Sequence, residues 1–152
     1  MILIDTNALI ILIMGRINPK LINTHRRTSI YDEEDYYNLI EFVKDISKII
    51  TLPNILTEVD NLLNSDLGKY HYQYIKVFLE FLKQSNEKYF ETKKIIESQH
   101  FLNLGLTDSA IIEVAKDCDY LITADSKLSD FAKANSINVI DLVEIKNIKL
   151  QF

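Results

Sequence analysis

A chain of 152 residues, 47% of them hydrophobic, is long enough to bury one sizeable core and short for two, so residues 1–152 read as a single domain. With 17 Lys and Arg against 22 Asp and Glu, the net charge is −5 and the pI near 5.2, which is not the balance of a protein that holds nucleic acid by bulk charge. A single cysteine, Cys118, excludes an intramolecular disulfide and, with no Cys or His at zinc-site spacing around it, a zinc cluster.

Met1-Ile2-Leu3-Ile4 is an unbroken apolar run that meets Asp5 at once. Such a run suits a strand covered on both faces, as in a parallel sheet between helices. Asp5, Thr6 and Asn7 then stand just past a strand end, where ligands bind in open α/β sheets. Asp5 is equally placed to cap the helix that follows. That helix, Asn7 to Gly15, is apolar nearly all round, with Gly15 as its stop. The apolar residues Ala8 to Met14 fall far short of the roughly 20 that cross a bilayer, and no basic signal-peptide start precedes them. A cytoplasmic protein without a membrane partner is the expectation.

Asn18-Pro19 marks a turn. Lys20 to Ser29 then carries His25, Arg26 and Arg27 among Thr and Ser, which reads either as a solvated linker or as a basic loop that meets phosphates. Asp32 to Asp35 supplies acids for the start of a second helix, continued by Leu39, Phe42, Val43 and Ile46. Lys48 to Leu52 reads as a second strand ending at Pro53. Asn54 or Thr57 opens a third helix that places Glu58 in its first turns, past a strand end, as Asp5 is.

Gly68 separates this helix from a long amphipathic one, Lys69 to Asn86, whose Tyr70, Tyr74, Val77, Phe78, Phe81 and Leu82 share a side. At helical spacing they suit core or a partner surface, with base stacking as the alternative. Lys88 to Ile95 alternates loosely as a short strand would. His71 and His100 lack matching ligands and read as ordinary structural residues. Gly105 ends one helix, and Thr107 or Asp108 begins the next, with Asp108 a natural N-cap. Asp119 to Thr123 repeats the opening pattern, an apolar strand delivering Asp125. Leu128 to Ala134 reads as helix, Ile137 to Ile140 as a last strand, and Asp141 to Phe152 as a tail.

This alternation predicts a three-layer α/β/α fold with a central, mostly parallel sheet. Parallel strand ends share one edge, so Asp5, Glu58, Asp108 and Asp125 are expected to converge there. Four carboxylates at close range need compensating charge. Hard oxygen donors without clustered His or Cys select Mg²⁺ or Mn²⁺ as metal ligand partners, and such ions would offset −4 of the net −5. An ion at an open sheet edge suits phosphodiester hydrolysis. Thr6, Asn7, Ser109, Thr123 and Ser126 stand beside the acids as candidates to orient them, or as plain cap and strand-end residues.

ILIDTNALI at the start, TEVDNLL around Glu58, GLTDSAIIEVA around Asp108 and YLITADSKLSDFAKANSINVIDL at the end resemble the PIN-domain ribonucleases, particularly the VapC-type toxins of toxin–antitoxin pairs. The resemblance covers nearly the whole chain in the right order. It implies a PIN-like fold and a Mg²⁺- or Mn²⁺-dependent endoribonuclease with Asp5, Glu58, Asp108 and Asp125 as its acidic site. It also implies an RNA substrate, a homodimer and an antitoxin protein that blocks the pocket. Many members carry a further acid two residues after the last aspartate, where this chain has Lys127, which implies one ion held tightly and a second weakly. The rival from another class is a non-catalytic PIN-like module that binds RNA or protein. Four retained acids speak against it, because clustered like charges repel phosphates.

Overall fold

The computed structural model describes residues 1–151. β1 (Ile2–Ile4), β2 (Ile49–Thr51), β3 (Asn86–Glu87), β4 (Tyr120–Thr123) and β5 (Val139–Asp141) form one sheet in the order 3-2-1-4-5. Every pairing is parallel, with Ile2 opposite both Ile49 and Tyr120. Helices flank the sheet on both faces, giving a three-layer α/β/α fold with β1 at its centre. β1 and β2 are buried throughout, as their apolar runs require.

α1 (Thr6–Ile17) is buried from Ala8 to Gly15 and packs against α2 (Glu33–Val43), α3 (Pro53–Leu63) and α4 (His71–Gln84). It runs two residues past Gly15, so that glycine is not the expected stop. A Cβ at Gly15 would lie 2.0 Å from Cδ2 of Tyr36; the glycine is there because the α2 ring lies on the helix backbone. α2 opens with a capping box, Asp32 and Asp35 each accepting a backbone N–H of the other. α3 begins at Pro53, where a missing N–H costs nothing, earlier than the expected Asn54 or Thr57. Glu58 is carried in its second turn.

The aromatic stripe of α4 is core: Tyr74 and Phe81 are fully buried and Tyr74 stacks on Phe78 at 5.5 Å. Leu82 is exposed, and the helix is shorter than Lys69 to Asn86, with a 3-10 turn at Gly68–Tyr70 before it. Lys88 to Ile95 is not a strand. Pairing stops after Glu87 at the sheet edge, and Thr92–Ile96 is a short helix, α5. α6 (Phe101–Ala115) is broken at Gly105, whose φ of 76° takes it out of the helix, as a C-cap glycine does. α7 (Ser126–Ala134) follows β4.

The expected tail is instead a helix. α8 (Leu142–Leu150) is capped by Asp141, whose Oδ1 accepts the Val143 and Glu144 N–H groups. Lys146 reaches Asp35 at 2.7 Å and Asp32 at 3.2 Å, and Lys149 reaches Glu34, so α8 is fastened to the acidic start of α2. Phe152, the end of that expected tail, lies outside the described residues. No described helix is long and apolar enough to cross a membrane.

Candidate functional site

The carboxyl ends of the parallel strands share one edge, and there Asp5, Thr6, Asn7, Arg27, Glu58, Asp108 and Asp125 line a single pocket of about 100 Å³. The four sequence-predicted acids therefore meet, although they come from four separate segments. A larger hollow, about 350 Å³, lies at the far end of α1, lined by Leu12, Arg16, Tyr36 and Lys44 among others, and holds no acid.

Asp5 is delivered by β1 and buried. It fills the capping role that the sequence offered and also ties β1 to the end of β4. Its Oδ1 caps α1 by accepting the Ala8 N–H at 2.8 Å, while Oδ2 accepts the Ala124 N–H at 3.0 Å and the Thr123 hydroxyl. The same Thr123 oxygen accepts the Asp125 N–H at 2.9 Å, so one buried hydroxyl links the two strand ends. Asp125 caps α7 through Oδ1 and Leu128 N–H. Glu58 is held at one oxygen by Thr6 Oγ1, 3.0 Å away, and at the other by Arg27 Nη2, also 3.0 Å away. Arg27 Nε donates to Asn7 Oδ1 at 3.2 Å.

Asp108 differs. Sitting just after the Gly105 break, it accepts no hydrogen bond among the described residues and caps nothing, contrary to its reading as an N-cap. Burial, then repulsion from Asp125 and Glu58, pushes its carboxyl up to about 6, with Lys127 pulling the other way. Asp5 is also pushed up to about 6, chiefly by burial, against the bonds from Thr123, Ala8 and Ala124 and with some repulsion from Asp108. Burial is thus the main cause at both carboxyls, and repulsion among the pocket acids adds to it, more at Asp108 than at Asp5.

Of the neighbouring residues, Thr6, Asn7 and Thr123 make the contacts just given. Ser109 is fully buried with no hydrogen-bond partner among the described residues, and Ser126 is the exposed first residue of α7. Lys127 donates to the Asn103 carbonyl at 2.8 Å, tying α7 to the first half of α6. Arg27 also lines the pocket; the sequence offered it only as one member of the basic stretch from Lys20 to Ser29, not as a partner of Glu58.

The donor set, carboxylate oxygens in charge excess, fits a hard divalent cation in kind. As the side chains stand, no three Asp, Glu, His or Cys among the described residues are arranged to chelate one; Arg27 already neutralises one side of Glu58.

No family model matches the chain, and no curated protein matches it. Among solved structures it is similar to a domain of a functionally unknown protein from Methanocaldococcus jannaschii DSM 2661, with 20% identity over 92% of this chain and 89% of that one and a TM-score of 0.46.

Proposed function

We propose that this protein is a Mg²⁺- or Mn²⁺-dependent endoribonuclease of the PIN-domain type, the toxin of a toxin–antitoxin pair, acting in the cytoplasm. The observation that carries this reading is the convergence of Asp5, Glu58, Asp108 and Asp125 on one pocket at the carboxyl edge of the sheet, with two of them raised to about 6. A binding module gains nothing from buried like charges; a site for a divalent ion does.

Asp5, Glu58, Asp108 and Asp125 are the residues that would hold the ion. When bound, it supplies a water acidified toward neutral pH and charge compensation for the phosphate. The chain's own residues do the positioning. Thr123 and the Ala124 N–H fix Asp5, Thr6 fixes one oxygen of Glu58, and Asp108 is left without a donor, its lone pairs uncommitted. The acids also repel a bare phosphate, so a strand is attracted only once the pocket's charge is offset. A homodimer and an antitoxin that covers the pocket belong to the same proposal and rest on the resemblance alone.

The test incubates the protein with a mixed RNA pool plus Mg²⁺ or Mn²⁺, with EDTA, and beside an Asp5→Asn variant. Cleavage that needs the ion and disappears in the variant is the expected result. Intact RNA in every lane, together with no heat of metal binding, sinks the nuclease and moves the non-catalytic RNA- or protein-binding module to first place.

A further inference from the structure

Arg27 is a cation already seated in the acidic pocket, and the segment that carries it is built to keep it there. His25 and Thr28, on either side of Arg26-Arg27, are both buried. Thr28 Oγ1 donates to the Ile22 carbonyl at 2.7 Å, and Thr28 N–H to the His25 carbonyl at 3.1 Å. The Arg27 N–H donates to His25 Nδ1 at 3.2 Å. That bond makes Nδ1 the acceptor, so the ring proton is on Nε2, which points its bond at Asp66 Oδ2, 3.3 Å away. Tyr31 closes the segment from the other end, its hydroxyl donating to the Ala124 carbonyl beside Asp5. A surface arginine on a solvated linker has no such framing.

The guanidinium uses Nε on Asn7 and one Nη2 proton on Glu58. Five donors minus these two leaves three, still in the planar fork that matches a phosphate. Among the described residues Glu58 is the pocket acid that carries a cation on one oxygen, and both side chains are 39% exposed, so the pair is accessible to exchange.

Resting on the nuclease reading, we propose that Arg27 is the pocket's resident counter-ion: a divalent cation competes with it for Glu58, and the guanidinium so released takes a phosphate of the nucleic-acid strand. One residue thereby serves two states. Without the ion it balances Glu58, and with the ion it supplies the positive contact that the acidic chain otherwise lacks at this edge. Arg27 is thus a substrate-binding residue, with His25 and Thr28 as the residues that position it.

The experiment measures Mn²⁺ affinity by calorimetry on the full chain for wild type, Arg27→Gln and Arg27→Lys, with thermal melts to establish that each is folded. Removing the competitor is expected to tighten Mn²⁺ binding roughly three- to tenfold in Arg27→Gln, as for a half-exposed pair, with Arg27→Lys in between. At saturating Mn²⁺, a mixed-sequence 2′-O-methyl oligonucleotide, which resists cleavage, is expected to bind Arg27→Gln at least fivefold more weakly by fluorescence anisotropy. Equal or weaker Mn²⁺ binding by Arg27→Gln overturns the exchange and leaves the nuclease reading standing, and unchanged oligonucleotide affinity overturns the phosphate contact. Absence of Mn²⁺ binding in wild type and both variants overturns the inference and the nuclease reading together.

Discussion

The oxygens of Asp5 and Asp108 are used in opposite ways, and the difference decides what each can be replaced by. Asp5 accepts from Ala8, Ala124 and Thr123; an amide there must turn its NH₂ toward one of those donors. Asp108 accepts from nothing and contributes repulsion instead. Asp108→Asn is therefore expected to stabilise the ion-free protein at pH 8, by roughly 1 kcal/mol after discounting for its partial exposure, a rise of about 2–4 °C in melting temperature. The same variant should lose RNA cleavage and any further stabilisation by added Mg²⁺. Calorimetric melts in EDTA and in Mg²⁺ check both; a lower melting point in EDTA contradicts the charge excess. At this scale the sequence was legible where a side chain is fixed by its own neighbours: an aspartate ending an apolar run announces itself at Asp5 and Asp125. Arg27 was not, because its place depends on Asn7 and Glu58, partners brought close only by the fold.

At the scale of elements, α1 is legible as a buried helix because it is apolar on all sides, yet its glycine was misread. Gly15 looked like a stop and is a contact. Alanine has the higher helix propensity by about 1 kcal/mol, but its Cβ would fall 2.0 Å from the Tyr36 ring. Gly15→Ala is expected to cost a net of about 1–3 kcal/mol, lowering the melting temperature by roughly 3–10 °C, and to cost little in a Tyr36→Ala background, since the two changes share one contact. A double-mutant cycle of thermal melts measures this, and additive effects would show that α2 does not press on Gly15. The other misread elements also owe their form to distant partners. Residues 88–95 alternate as a strand does, but β2 offers pairing only as far as Glu87. The last residues lack strong helical amphipathicity, and α8 is fixed by Asp141 beneath it and by Lys146 and Lys149 bonding to α2.

For the molecule as a whole, the pocket sets a cost that varies with pH. Burial raises Asp5 from 3.8 to about 6 in the folded chain, and in the unfolded chain it returns near 4. Between those values the folded form holds a proton that the unfolded form has lost, so this group's contribution to stability falls as pH rises from about 4 to about 6. Above that the whole penalty, on the order of 2–3 kcal/mol, is present. Urea unfolding in EDTA should show Asp5→Asn gaining on wild type from pH 4.5 to 7.5. The variant's lost hydrogen bond is constant across that range and drops out of the slope, and a flat difference would mean that Asp5 is not raised. The layer architecture, by contrast, was legible from the alternation of apolar runs and helical stretches alone. The strand order was not, since which strands become neighbours is decided by packing between distant segments.

That order has a consequence for how the protein is born. β1 is translated before the other strands, yet it lies mid-sheet, and its partners are Ile49–Thr51 and, much later, Tyr120–Thr123. Long-range pairing of this kind forms late. Asp5 obtains its Thr123 and Ala124 partners, and the pocket its fourth wall, only when residues 123–125 have been translated. A nascent chain short of that point carries Asp5, Glu58 and Asp108 without the segment that closes the pocket around them.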